Sequence, residues 1–256
     1  DYITFVDADD RMRPGMLKKL YELLREPESD MAGCQFAVWG TEKEWEQLAG
    51  EGDTFSDRQK SQSVTTFNSD CYLKEGLLRG NTRCWSKLYK RSLITRVRFR
   101  QGLSIGEDML FLVELLPHVK RAVETDWPGY GYYQNPGGVM RRPFTPAYMD
   151  QIYCWEMARE LIVKQDGSLA AQADAQIMVA IMLTVGKIAL LPGTERKRAG
   201  EYLRVCHRKL KELAGKKECY ASLPSGYCVK VRMFTILPGL YVRLYRLQKN
   251  RKEKLV

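Results

Sequence analysis

The first apolar run, Tyr2 to Val6, places Ile3, Phe5 and Val6 on both faces of an extended segment, which predicts a strand in the middle of a covered sheet. Pro14 and Gly15 then open an amphipathic helix, because Leu17, Leu20, Leu23 and Leu24 recur at three- and four-residue spacing and Pro27 follows its end. Met31 to Trp39 predicts a second strand. Residues 40–66 are polar and broken by Gly40, Gly50 and Gly52, which predicts an irregular excursion at a sheet edge. Asn68 or Ser69 can cap a helix running to Arg79, and a shorter helical turn is expected from Arg91 to Thr95. Gly102 to Gly106 is a loop, Glu107 to Leu116 has the apolar content of a buried helix closed by Pro117, and short strands follow near 120–125 and 130–134.

Beyond residue 147 only helical periods remain, over 147–164, 169–191 and 195–214, separated by Asp166-Gly167 and Pro192-Gly193. The middle segment holds the 15-residue run IMVAIMLTVGKIALL, interrupted by Lys187. That is short of the ~20 residues that span a bilayer, so a buried core helix is expected. The pattern therefore predicts an α/β chain with a sheet layer in 1–146 and a helical region in 147–256.

Composition narrows the chemistry. Seven cysteines include no C-x-x-C pair and are joined by only two histidines, which disfavours a zinc site or a disulfide framework and fits reduced thiols in the cytoplasm. The net charge of +10 is unevenly spread: residues 192–256 carry 17 Lys/Arg against 5 Asp/Glu, and the rest of the chain is slightly acidic. Within 227–256, aliphatic and aromatic residues alternate with basic ones, as in a helix lying in an anionic membrane interface on the inner face of a plasma membrane. The alternative is a helix packed on the protein with a basic, solvated tail. Nucleic acid is a poorer match, since the aromatic residues follow the apolar helix pattern and form no base-stacking platform.

Four clusters can carry chemistry. Asp7, Asp9 and Asp10 crowd three carboxylates into four positions at the end of the first strand, which calls for solvent, a cation or turn amides to offset the repulsion. Hard oxygen ligands suit Mg²⁺ or Mn²⁺, with phosphate and water completing the shell. An EF-hand loop is excluded, because its sixth and twelfth positions from Asp7 are Met12 and Lys18. A phosphatase of the haloacid-dehalogenase type, with Asp7 as nucleophile, is an alternative, although Arg11 replaces its usual small residue. Glu107 and Asp108, in GEDMLF, open an apolar helix, where they either match the helix dipole or present a general base to a cleft. In CWSKLYKRSLI, Trp85 is a core or rim aromatic and Lys87 a solvated cation, or the two form the wall of a sugar or acceptor pocket. Arg141 and Arg142, ending QNPGGVMRR, can clamp a diphosphate or remain exposed.

Taken in order, FVDADD, CWSKLYKRSLI, F-x-x-G-x-x-x-GEDMLF and YYQNPGGVMR, all within residues 1–142, resemble the bacterial family-2 glycosyltransferases of the GT-A fold. The resemblance implies a partial GT-A-type, Rossmann-like sheet that transfers a sugar, with inversion, from a nucleotide diphosphate sugar, a UDP-sugar foremost, to a saccharide or lipid-linked acceptor hydroxyl in cell-surface polysaccharide or glycolipid synthesis. It implies metal and diphosphate contact by Asp7 and Asp9, with Asp10 as the additional acidic residue, and a catalytic base at Asp108. In that family further strands and a nucleotide-binding Asp precede the D-x-D element, on a layer that binds ligands at strand ends. The chain is thus expected to be truncated before the D-x-D strand and to have little transferase activity alone. The non-enzymatic alternative is a basic adaptor that holds a membrane through its C-terminal quarter.

Overall fold

The structure, a computed structural model, describes residues 1–50, 63–138 and 141–253. Part of the expected excursion (51–62), two positions of the glycine-rich loop (139 and 140) and the last three residues of the basic tail lie outside the described residues. The chain divides into a sheet unit, residues 1–100 with 111–142, and a helical unit, residues 101–110 with 143–256.

The sheet unit is built on β1 (Tyr2–Thr4), β2 (Arg11–Met12), helix α1 (Met16–Leu24), β3 (Ser29–Trp39), helix α2 (Glu42–Gly50), β4 (Val64–Phe67), β5 (Lys87–Lys90) and β6 (Arg121–Tyr133). Between β4 and β5 a short turn α3 (Ser69–Cys71) runs on as π-helical and 3-10 turns to Arg79, and its start is capped as expected, with Asn68 Oδ1 accepting from the Cys71 amide at 2.8 Å. α4 (Arg91–Ile94) follows β5, and α5 (Glu107–Leu115) has its first four residues in the helical unit and the remainder here. The sheet order is β1-β5-β3-β6-β2, and β4 also pairs with β6. Among the described residues only β3 and β6 are parallel; this long pair is the axis of the unit, and β4 and β2 share the outer edge of β6, at Ala122–Thr125 and Tyr130–Gly131.

β1 lies at an end of this path and pairs with β5, not in the middle of the sheet as expected. Its two-faced apolar pattern has a different cause. Tyr2 packs edge-on against Tyr21 of α1, and Phe5 meets Tyr89, Phe99 and Phe111, so cover above and below the strand produces the signal wherever the strand sits laterally. The two strands expected at 120–125 and 130–134 are one strand, β6. The Asp126 to Gly129 interruption is absorbed by register shifts opposite Cys34, Gln35 and Phe36, with Pro128 at the irregularity, where its missing amide costs no ladder bond.

Trp85 and Lys87 are buried, at 6% and 0% exposure, so the lysine is not the solvated cation that the sequence offered as one reading. Trp85 stacks on Tyr130 (centroids 4.6 Å, 17° between planes) and Tyr132, meets Phe36 edge-on, and shares a cluster with Met16, Leu20 and Leu24 of α1. The Lys87 ammonium donates to Asn81 Oδ1 and the Arg83 carbonyl, each at 2.8 Å, and burial lowers its pKa while Glu124 opposes that shift. Glu124 Oε1 in turn accepts from Tyr72 Oη at 2.7 Å and Asn81 Nδ2 at 3.2 Å. This carboxylate sits against Gly33, where a Cβ would lie 2.4 Å from Oε1. Ser86, between Trp85 and Lys87, has φ 58°, and this left-handed residue interrupts the strand alternation.

The helical unit comprises α6 (Asp150–Gln165), α7 (Ala170–Leu190), α8 (Gly193–Arg198), α9 (Gly200–Ala214), α10 (Lys217–Ala221), α11 (Tyr227–Ile236) and α12 (Pro238–Glu253). With its preceding 3-10 turn, α7 is long and apolar enough to cross a membrane, yet 72% of its apolar window is buried. Asp174 within it is 2% exposed and ion-paired with Arg159 and, at 2.7 Å, with Lys216. Burial alone would raise the Asp174 pKa; these two cations outweigh it and hold the carboxyl below its ordinary value. Residues 101–110, expected with the sheet, join this unit because Ile105 packs with Phe144, Tyr148, Ile188 and Leu191. The amphipathic run expected from 227 is two helices, since Pro238 cannot continue α11, and Val231, Phe234 and Tyr241 are buried.

The Trp85 stack predicts that Trp85→Ala lowers stability by about 3–5 kcal/mol. Guanidinium unfolding followed by circular dichroism measures this, and a loss below about 1 kcal/mol would contradict the core role assigned to the ring.

Candidate functional site

The three carboxylates leave β1 in a turn closed by the Asp10 amide donating to the Asp7 carbonyl at 3.0 Å. β2 then pairs with β6, and the Arg13 amide donates to the Gly129 carbonyl at 2.9 Å, so the turn is pinned to the second half of β6. One buried phenol fixes the rest. Tyr130 Oη accepts from the Asp7 amide at 3.1 Å and donates to Asp10 Oδ2 at 2.7 Å, while Asp10 Oδ1 accepts from the Tyr133 amide at 2.8 Å. Burial raises the Asp10 pKa against these two bonds, and burial likewise raises that of Tyr130. Asp10 is thus a buried anchor of the loop, and this engagement, absent from the sequence pattern, distinguishes it from its neighbours.

Asp7 and Asp9 line a cavity of about 340 Å³ together with Tyr132, Tyr133, the QNPGG turn, Arg141 and Arg142. Asn135 of that turn donates from Nδ2 to Asp9 Oδ2 at 2.8 Å and accepts the Gly137 amide at 2.9 Å. Arg141 Nη2 donates to Gln134 Oε1, and Arg142 Nε to the Gly137 carbonyl, both at 2.8 Å. The four residues expected to meet a metal and a diphosphate therefore border one cavity, with carboxylates and guanidinium groups in the same lining. Tyr132 registers the field: burial raises its pKa, Asp10, Asp9 and Asp7 raise it further, and Arg141 lowers it. Gln134, Asn135 and Tyr130 were not singled out from the sequence. The motif YYQNPGG marked a turn, and an Asn that both shapes a turn and donates outward was the available signal.

Among the described residues no group of three or more His, Cys, Asp or Glu is placed to hold a metal by itself. Two adjoining carboxylates in a cavity that also holds two guanidinium groups fit the other arrangement: a hard cation bound through one or two carboxylates, with substrate phosphate and water as its remaining ligands.

Glu107 and Asp108 are in the helical unit, on the first turn of α5. The turn before them needs Gly106, whose φ is 94° and where a Cβ would lie 3.1 Å from Cys154 Cβ and 3.2 Å from the Gln151 backbone. Asp150 opens α6 beside it and accepts the Ser104 amide at 2.9 Å. Burial raises the Glu107 pKa, with Asp108 and Asp150 adding to the shift.

Residues 1–94 match the family described as Glycosyl transferase family 2. The chain is 28% identical over 220 residues to the uncharacterised glycosyltransferase YibD of Escherichia coli K12, covering 82% of this chain and 56% of that protein. It is 27% identical over 157 residues to the uncharacterised glycosyltransferase EpsJ of Bacillus subtilis 168, covering 59% and 42%. Residues 1–94 thus carry the pattern of glycosyl transferase family 2. Its fold agrees: S. aureus TarS, solved with UDP-GlcNAc, superposes with a TM-score of 0.59 at 15% identity, over 98% of this chain and 68% of that one. A TarS structure with UDP gives 0.55 at 16% identity, over 96% and 63%. The mixed α/β sheet with helices after it is thus of the GT-A type, and the family match, which spans the Asp7 turn, favours a glycosyltransferase over the phosphatase reading of Asp7. The chain spans about half the length of the two curated relatives it matches.

Two outcomes follow. Tyr130→Phe leaves the Asp10 carboxyl and the Asp7 amide short of a partner inside the fold, so stability falls by about 1–3 kcal/mol, measured by thermal unfolding. For Glu107, whose ordinary pKa is 4.5, the folded value is raised; stability from this group is full below the unfolded value and declines as pH rises through the folded one. Glu107→Gln is accordingly expected to raise the unfolding temperature at neutral pH and to give no gain below pH 4.5, the result that differential scanning at the two pH values checks.

Proposed function

We propose that the cavity between the D-A-D-D turn and the QNPGG turn binds the diphosphate of a nucleotide diphosphate sugar, and that the whole protein transfers the sugar, with inversion, to an acceptor hydroxyl. The single observation carrying this reading is the joint lining of one cavity by Asp7, Asp9, Arg141 and Arg142. The family match over residues 1–94 and the solved complexes of TarS with UDP-GlcNAc and UDP support a UDP-sugar as the donor.

Each residue has a task set by its chemistry. Asp9, with Asp7, would hold Mg²⁺ or Mn²⁺, and such an ion would supply positive charge at the diphosphate. Arg141 and Arg142 offer planar pairs of N–H donors to phosphate oxygens, and such charge-assisted bonds orient the leaving group as well as bind it. Asn135 keeps Asp9 in place through its Nδ2, and Tyr130 holds the backbone of Asp7. Asp108 takes the proton of the attacking hydroxyl, the role the family resemblance implies, and Glu107 beside it sets the local charge. The acceptor is a saccharide or a lipid-linked saccharide of the cell surface, met on the cytoplasmic face of the membrane, where the basic C-terminal helices hold the enzyme.

Titration calorimetry of UDP with and without Mn²⁺ tests the cavity. Binding is expected to require Mn²⁺, to be lost in Asp9→Ala, and to weaken by about 10-fold or more in Arg141→Ala, in line with a charge-assisted hydrogen bond. Metal-independent binding unaffected by either variant would refute the proposal. In the full-length enzyme Asp108→Asn is expected to lower kcat by about 10²–10⁴ while the UDP affinity stays unchanged, as for loss of a general base.

A further inference from the structure

Within the helical unit, α8, α9 and the α11–α12 joint enclose a groove of about 460 Å³ that the donor reading leaves without a role. Its apolar floor is Leu203, Phe234 and Val242, with Phe234 only 1% exposed. Its lining also carries five cations, Arg196, Lys197, Arg204, Arg243 and Arg246, and no carboxylate. Arg196 is oriented by donating from Nη1 to the Leu191 carbonyl at 2.7 Å. Elsewhere in this unit the cations Arg159, Lys209 and Lys216 are paired with Asp174 or Glu156, whereas among the described residues no ion pair joins Arg204, Arg243 or Arg246. An apolar floor under a ring of uncompensated guanidinium groups is complementary to a molecule that is anionic at one end and hydrocarbon at the other.

A second feature adjoins the groove. On α12, Leu240, Leu244 and Leu247 recur at i, i+4 and i+7 and are 45%, 43% and 50% exposed, while Ile236 and Leu237 at the joint are 73% and 52% exposed. Such a stripe is costly in water and suits the acyl boundary of a bilayer, with the arginines reaching up to the headgroup phosphates.

We propose that this groove is a headgroup site for an anionic phospholipid, and that it seats the helical unit on an anionic bilayer with the Leu240, Leu244 and Leu247 stripe immersed. The proposal deepens the membrane reading of the function above; it is independent of the donor cavity, so its failure would leave Mn²⁺-dependent UDP binding untouched.

Co-sedimentation of the full chain with phosphatidylcholine vesicles, with and without a minority of phosphatidylglycerol, tests it. Binding is expected only to the anionic vesicles and falls as salt rises. Arg243→Gln with Arg246→Gln is expected to weaken partition by about 10-fold or more, since each cation near the surface contributes substantially. The charge-matched pair Lys164→Gln with Lys217→Gln, outside the groove, is expected to cost less than about 3-fold, as for a distant, screened charge. Leu240→Ser with Leu244→Ser weakens binding at every salt concentration. Short-chain phosphatidylglycerol is expected to compete for the groove, and inorganic phosphate at the same concentration is not. Five results would each overturn the proposal: no binding at low salt, equal binding to neutral vesicles, equal losses in the two charge pairs, equal competition by inorganic phosphate, or tighter binding of single-stranded RNA with the same dependence on Arg243 and Arg246.

Discussion

The geometry of the cavity proposed for the donor depends on one buried hydroxyl. Tyr130 belongs to β6, the strand locked in parallel to β3, and its Oη holds the backbone of Asp7 and the carboxyl of Asp10 at once. A turn bearing three carboxylates would otherwise spread under its own repulsion. By consuming Asp10 as an internal acceptor, the fold leaves two carboxylates on the lining, a number suited to a cation that must also bind phosphate. The ring of the same tyrosine stacks on Trp85, so the position of the acidic turn is tied to the packing of the core.

Much of this was legible along the chain, and the reasons for the exceptions differ. The leucine spacing of α1, the Asn68 cap and the helix after Gly106 are local signals, set by residues a few positions apart. Lateral strand position is not local, and neither is the continuity of β6, because a bulge opposite Pro128 repairs what looks like a break. The sequence leaves Trp85 between core and pocket wall and Lys87 between solvent and pocket wall. Their burial follows from the left-handed backbone at Ser86 and from partners at Asn81, Glu124 and Tyr130, none of which a pattern around position 85 can reveal.

The site divides in the same way. Asp7, Asp9 and Asp10 are equivalent as letters, and only the reach of Tyr130 and the Tyr133 amide separates the anchor from the two lining residues. Arg141 and Arg142 were visible as a pair after two glycines, yet the cavity joining them to the carboxylates requires β2 and β6 to be neighbours. The basic excess of the last quarter was evident from composition. Its organisation into a groove depends on the helix break at Pro238, which sets α12 against α7 and across the groove from α9, where a single straight helix would have carried those arginines away.

Gly33 and Glu124 carry an evolutionary consequence. With a Cβ at position 33 meeting Glu124 Oε1 at 2.4 Å, and that carboxylate held by Tyr72 and Asn81, neither position can drift alone. Among relatives that share this sheet, a side chain at the glycine should be accompanied by a shorter residue opposite it on the parallel strand. The buried lysine should then be replaced in the same lineages, since an ammonium at that depth without a nearby counter-charge is too costly to keep.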